Sequence, residues 1–302
     1  MAWAISAFQP FSLSAFLSPM PRIPLEDNYT DVLGKAQRGL TLTDEQIAAR
    51  AEVSLADLAA LKAGQFNEPV ARRVARHLKL HPAALVHLAA KKYYPTHPLF
   101  RTGFAAFNAP CGGMTVNSYI IWDHKNRHAA ILDPAASGDA LIAFLNAEKL
   151  SLRHIFLTHA HEDHIADLDK VLAAFNTKTT PPVEIWISER EAAEVPRAKP
   201  FPDNAIFHIG NIPLRSYPTT GHSPGGATYY TDALSYPLAI VGDSLFAASM
   251  GGAPDARAYE AAVKNNWKHI LSLPNNTVLA CGHGPLTTVA QEKKHNPFFA
   301  RW

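Results

Sequence analysis

The run Thr158-His-Ala-His-Glu-Asp-His164 constrains this chain more than any other stretch of it. Four side chains able to ligate a metal, His159, His161, Asp163 and His164, fall within six positions. They follow an apolar run, 154–157, that reads as a buried strand. Alternate residues of an extended chain share a face, so His159 and His161 point to one side before the chain turns. Asp163 and His164 come where a helix starts near Ile165, and the positive end of that helix favours an anionic Asp163. Imidazole nitrogen with carboxylate oxygen is a donor set that suits zinc and tolerates iron or manganese.

Four ligands so close in sequence cannot enclose two ions, and the rest of the chain supplies further candidates. His222 lies in Thr219-Thr-Gly-His-Ser-Pro-Gly-Gly226, Asp243 in Gly242-Asp-Ser-Leu-Phe246, and His283 in Cys281-Gly-His-Gly-Pro285. Glycines beside each ligand allow close backbone approach. The surrounding pattern is α/β. Strand-like runs occur at 116–122, 129–132, 154–157, 183–187, 214–217, 228–230, 238–241 and 277–280, with helical runs at 140–148, 167–175, 189–194 and 256–272. Several ligand candidates sit just past strand ends, where loops on such a scaffold carry chemistry.

The front of the chain reads differently. Residues 26–94 predict a small all-α domain, followed by a linker at 95–103 and a catalytic domain at 104–302. Thr43 with Gln46 is a capping box, Ser54 caps the next helix, Gly64 stops it, and Pro69 and Pro82 open two more. The stretch 43–64 resembles the helix-turn-helix of Cro/repressor-like domains. That family reads DNA through polar side chains at the start of its second helix. Here that helix offers Ser54, Ala56, Asp57 and Ala60, with nothing to read a base edge. Ten Lys and Arg stand against eight Asp and Glu between residues 26 and 92, which makes no basic stripe. No DNA-binding residue is assigned, and a structural or homodimerising role is expected.

The order of HxHxDH, GHSPGG, GDSLF and GHGP over residues 104–296 resembles the metallo-β-lactamase superfamily, and within it short glyoxalase II-like hydrolases. The resemblance implies an αβ/βα sandwich with a dinuclear site at one edge, behind the small helical domain. Carried over by motif, His159, His161 and His222 hold one ion. Asp163, His164 and His283 hold the other, Asp243 bridges them, and Asp133 supports the site from behind the ligands. The implied cofactor is two divalent ions, zinc by donor set, with iron or manganese as alternatives. In this scheme the ions share and activate a water that attacks an acyl carbonyl, with Asp163 and Asp243 in the catalytic set. The expected substrate is a small acyl thioester or ester. The alternatives are a lactonase or β-lactamase-type amide hydrolase on the same site, a persulfide dioxygenase with mononuclear iron, and a DNA-binding metabolite sensor. Two departures bear on the substrate. Few residues follow His283, so the C-terminal glutathione-binding helical domain of glyoxalase II is not expected. Where that family carries Cys-Gly-Arg, this chain reads Ser249-Met-Gly-Gly252. Tyr119 and Met250 are candidates for the substrate pocket, with core packing as the alternative. Cys111 is a candidate for its entrance, and Cys281 reads as a buried structural thiol.

Composition excludes several other classes. Hydrophobic residues make up 47% and charged residues 18% of 302 positions, which is globular. A net charge of +2 calls for neither nucleic acid nor an acidic membrane. Two cysteines fit a reducing compartment, so a cytoplasmic protein is expected. The stretch 2–17 is apolar, but no Lys or Arg precedes Arg22 and Pro10 interrupts it, so it lacks the form of a signal peptide. Residues 1–25 are expected to be a disordered extension, with Met20 a candidate start. No run is long enough for a membrane span.

Overall fold

The protein is described by a computed structural model that covers residues 22–100, 102–176 and 181–300. Residues 1–21, and with them Met20 and most of the expected extension, lie outside the described residues. Residues 22–25 are packed. The Arg22 guanidinium lies 3.6 Å over the Tyr94 ring, Tyr94 donates to the Ile23 carbonyl at 2.8 Å, and Leu25 covers the helical core.

Five helices form the front segment: α1 (Tyr29–Gly39), α2 (Asp44–Ala51), α3 (Leu55–Lys62), α4 (Glu68–His77) and α5 (Pro82–Ala89). Each starts on a side chain that accepts an otherwise unpaired backbone N–H. Asn28 and Thr43 complete capping boxes with Asp31 and Gln46, and Ser54, Asn67 and His81 cap the other three. Apolar residues at three- and four-residue spacing, such as Val70, Val74 and Leu58, Leu61, meet in one core. The arrangement is not specific to the Cro/repressor family. That core also takes in Ala248, which lies beyond the Asp243 motif. The His81 N–H donates to the Pro297 carbonyl at 2.7 Å, which fastens the segment to the C-terminal end of the described chain.

The remainder is a four-layer αβ/βα sandwich. One sheet runs in the order β1 (Phe104–Cys111), β2 (Met114–Trp122), β3 (His128–Leu132), β4 (Ser151–Phe156), β5 (Glu184–Ser188), β6 (Lys199–Phe201). The other runs β12 (Thr287–Thr288), β11 (Val278–Cys281), β10 (Leu238–Gly242), β9 (Ala227–Thr231), β8 (Ile212–Pro218), β7 (Ile206–Ile209). Period-2 alternation builds the layers. In β2, Tyr119 and Ile121 face the space between the sheets, while Ile120 and Trp122 face α6 (Gly138–Ala147) and α8 (Leu168–Phe175). In β10, Leu238 and Ile240 face inward, while Ala239 and Val241 face α9 (Ala256–Asn265). Among the described residues no helix is long and apolar enough to cross a membrane.

Some elements differ from the sequence pattern. The expected helix 189–194 is a single 3-10 turn, Glu189–Glu191, and the expected helix 256–272 is α9 continued by a π-helical turn, Asn266–Ile270. β1, β6, β7 and β12 were not legible. Each of the four pairs on one side only, and such edge positions need no clean apolar alternation. α10 (Val289–His295) buries Glu292 where the pattern would ask for an apolar residue.

Candidate metal centre

Five loops bring the site together at one edge of the sandwich. After β4 the chain passes through Thr158 to His161, which precedes the one-turn α7 (Glu162–Ile165), one turn earlier than the pattern suggests. The loops before β9, after β10 and after β11 bring His222, Asp243 and His283, and Asp133 comes just after β3.

Two groups of donors result, and a third, His159, His164 and Asp243, links them. Ligand atoms of His159, His161 and His222 lie within 4.8 Å of one another, and so do those of Asp163, His164 and His283. His161 Nδ1 is 3.0 Å from His159 Nε2 and 3.1 Å from His222 Nε2. Asp163 Oδ2 is 3.2 Å from His283 Nε2. Asp243 stands between the groups. Its Oδ1 is 3.2 Å from His164 Nε2, and its Oδ2 is 3.4 Å from both His222 Nε2 and His283 Nε2. The approach depends on Gly282, where a Cβ would fall 2.0 Å from Asp243 Oδ1.

The ring orientations are set from outside. His222 Nδ1 donates to the Gly252 carbonyl and His283 Nδ1 to the Thr115 carbonyl, both at 2.7 Å. His164 Nδ1 lies 2.9 Å from Asp133 Oδ2. In the neutral ring each contact places the proton on Nδ1, so that Nε2 would offer its lone pair to a cation at the centre. Asp133 also accepts from the Thr158 N–H at 2.7 Å and its hydroxyl at 2.6 Å. Thr158 Oγ1 in turn touches His159 Nδ1 at 3.0 Å.

Electrostatics divide the histidines. Burial pushes His159 and His222 below the ordinary histidine value, which keeps them neutral. Burial also opposes charge on His164 and His283, but the Asp243, Asp133 and Asp163 carboxylates outweigh it and raise both. Burial works against the Asp243 charge, yet His164 and His283 hold its carboxyl well below the usual range. These positive partners are protons here, and a bound cation would serve the same carboxylates.

The residues fit metal binding. His164 Nε2 and Asp243 Oδ1 are fully buried and neither has a hydrogen-bond partner. They lie 3.2 Å apart. Buried polar atoms without partners are costly, and two that converge with five further N and O donors are accounted for by cations.

The site opens into a cavity of about 740 Å³ whose wall includes His161, Asp163, His222, Asp243 and His283 with Glu26, Lys35, Cys111, Met114 and Phe246. Tyr119 and Met250 are not in that wall. Tyr119 is buried between the sheets and donates to the Cys281 carbonyl at 2.5 Å, and Met250 is buried against the outer face of the second sheet. Both take the packing alternative because their strand and loop positions point inward. Burial pushes the Cys281 thiol up, which suits a structural role.

Several residues of the site carry no local signal. Glu191 is buried and accepts from the Ala160 N–H at 2.9 Å and the Gly225 N–H at 3.1 Å, tying two ligand loops together. Asn117 donates to the Cys281 and Gly284 carbonyls at 2.9 and 2.8 Å and so fixes the His283 loop. Glu26 and Lys35 come from the front segment. In sequence Glu191 falls in the expected helix 189–194, with nothing to mark it as buried.

Residues 111–283 match the family model of the metallo-beta-lactamase superfamily. Among the curated relatives, a probable metallo-hydrolase of Streptococcus pyogenes is 31% identical over 58% of this chain and 82% of its own length. The hydroxyacylglutathione hydrolase GloC of Haemophilus influenzae is 29% identical over 63% of this chain and 95% of its own. Among solved structures, the B3 metallo-beta-lactamase BLEG-1 aligns with a TM-score of 0.53 at 30% identity, over 65% of this chain and 100% of that one. With the sandwich, the order of the motifs and their convergence at one edge, these matches establish that the chain belongs to the metallo-β-lactamase superfamily, as a metallo-hydrolase of that fold.

Proposed function

We propose that this protein hydrolyses a small acyl thioester or ester at a dinuclear centre, in the manner of glyoxalase II. The observation that carries this reading is Asp243, buried between two complete donor groups, with Oδ1 unpaired and Oδ2 equidistant from His222 and His283. His159, His161 and His222 would hold one ion and Asp163, His164 and His283 the other. Two divalent ions, zinc by donor set, supply a water of near-neutral pKa and polarise the acyl carbonyl.

The chain's own part is positional. Asp163, held down to about 2 as His283 and His164 outweigh the effect of burial, stays ionised and half-exposed in the cavity wall. Asp243, kept ionised by His164 and His283 against the effect of burial, would orient the proton of a water held there away from the carbonyl. A thiolate leaves without a proton, so no separate acid is required for thioesters, whereas an alkoxide would need one.

The test is a hydrolysis panel of thioesters, esters, lactones and phosphoesters on the metal-loaded protein, with metal content measured in parallel. Turnover of thioesters or esters that is lost in Asp243→Ala and on chelation is expected. Activity in fully metal-free protein would overturn the proposal. The panel includes β-lactams, because the similarity to BLEG-1 extends over the whole of that structure. Turnover confined to β-lactams would replace the acyl thioester reading with an amide one.

A further inference from the structure

The front segment reaches the site. A Cβ on Gly284 would lie 3.2 Å from the Glu26 backbone nitrogen, and Gly284 has φ +71, so glycine suits the close approach of this segment to the His283 loop. The contact puts Glu26 and Lys35 into the cavity wall, facing the donor groups.

The charges of these two residues are not equally available. The Lys35 ammonium is ion-paired with Asp27 and donates to the Met250 carbonyl at 2.9 Å, and its side chain is only 14% exposed. Asp27 also accepts from the Ser249 hydroxyl at 2.5 Å. This cation is committed to holding the loop beyond Asp243. The Glu26 carboxyl has no hydrogen-bond or ion-pair partner among the described residues; burial pushes it above the ordinary glutamate value, which His283 opposes, and a cation brought to it would favour its charged form. Apart from the proposed ligands, Glu162 is the other charged side chain of the described wall, and it is an acid exposed to solvent. Apart from the donor groups and any ions they hold, the described wall therefore offers an uncommitted carboxylate and no uncommitted cationic side chain. Away from the donor groups, a substrate portion rich in carboxylates would find no free cationic side chain in it. An ammonium group would find Glu26, in a half-buried setting where an ion pair is worth more than on an open surface.

We propose that Glu26 selects acyl thioesters or esters that carry an ammonium group, and that the front helical segment is thereby the specificity wall of the site. This rests on the hydrolase reading above, and its test is separable from it. Two non-hydrolysable thioether analogues, one ending in trimethylammonium and the other in its neutral isostere tert-butyl, are titrated into the metal-loaded protein by calorimetry over a series of spacer lengths. Neither end group can ligate a metal, so the difference reports charge alone. The cation is expected to bind about tenfold tighter, the size of one charge-assisted contact. Glu26→Gln should bring the two within about twofold, and Glu26→Lys should make the neutral analogue the tighter. Equal binding in the wild type, tighter binding of the neutral analogue, binding of neither, or a preference that survives Glu26→Gln would each overturn the proposal. Turnover of the parent thioesters is measured separately. A charge preference without turnover removes the hydrolase reading and keeps the Glu26 one, and turnover without a preference does the reverse.

Discussion

Replacing Asp133 by Asn tests how far the site depends on residues behind its ligands. Asp133 is buried at the end of β3 with φ 51, a left-handed conformation that Asp and Asn both tolerate. The substitution therefore keeps shape and backbone and changes only hydrogen bonding. The carboxylate accepts three protons: from Thr158 N at Oδ1, and from Thr158 Oγ1 and His164 Nδ1 at Oδ2. An amide has an acceptor on one side only. With its oxygen towards His164, its NH2 meets the Thr158 N–H. With its oxygen towards Thr158 N, its NH2 meets His164 Nδ1, and the imidazole escapes only by moving its proton to Nε2, the atom aimed at the centre. Either arrangement leaves a buried donor unpaired, at about 1–3 kcal/mol. Affinity at the Asp163, His164, His283 group should fall about 10- to 100-fold, the usual cost of losing an outer hydrogen bond to a ligand. The His159, His161, His222 group is touched only through Thr158 Oγ1 and should weaken less. Chelator competition on metal-free protein resolves the two affinities, and thermal unfolding reads the destabilisation. Wild-type affinity at both groups with an unchanged Tm would show that Asp133 does not orient His164.

Three further outcomes are expected. Glu191→Ala removes the buried side-chain acceptor of two backbone N–H groups and should cost about 3 kcal/mol in denaturant unfolding. Lys35→Met leaves Asp27 without its cation at a site 9% exposed and should cost about 3 kcal/mol, part of which Asp27→Asn in the same chain should restore, as read by Tm. The pH dependence comes from His164 and His283, raised to about 10 and about 11 in the metal-free protein because nearby carboxylates outweigh burial. Their stabilising contribution is complete below the ordinary histidine value and is lost as pH rises through those raised values, so metal-free protein should lose stability above neutrality. Metal must displace the same protons, so affinity should rise with pH by about tenfold per unit for each proton displaced, measured by titration from pH 6 upward.

Local pattern carried most of the fold. β2, β10 and β11 alternate between two apolar environments, and that alternation was readable because both faces of each strand are buried. The capping box at Thr43 and the proline starts at Pro69 and Pro82 were readable because a helix end needs a particular side chain at a fixed offset. β1, β6, β7 and β12 lie where that demand relaxes, at sheet edges or in pairs of residues. The π-helical turn after α9 was hidden for a different reason. Its hydrogen-bond slip serves tertiary contacts, with Asn265 holding the Thr220 carbonyl and Asn266 the Ser244 carbonyl, and the sequence there still reads as ordinary helix.

The site divides along the same line. Metal chemistry demands many donors in fixed geometry, so His159, His161, Asp163, His164, His222, Asp243 and His283 stand in motifs whose glycines betray the crowding around them. Recognition demands little. Glu26, Asp27 and Lys35 lie more than 200 positions from Ser249, Met250 and Gly284, and nothing local distinguishes them from any helix N-terminal stretch. Tyr119 and Met250 attracted notice by type and proximity to motifs, yet an aromatic or a thioether near a site is as readily core as wall. The proposed reaction class, resting on seven candidate ligands, and the proposed substrate class, resting on one carboxylate, come from the same physics. Enclosing cations constrains many positions at once, whereas choosing among acyl groups constrains only those that the substrate touches.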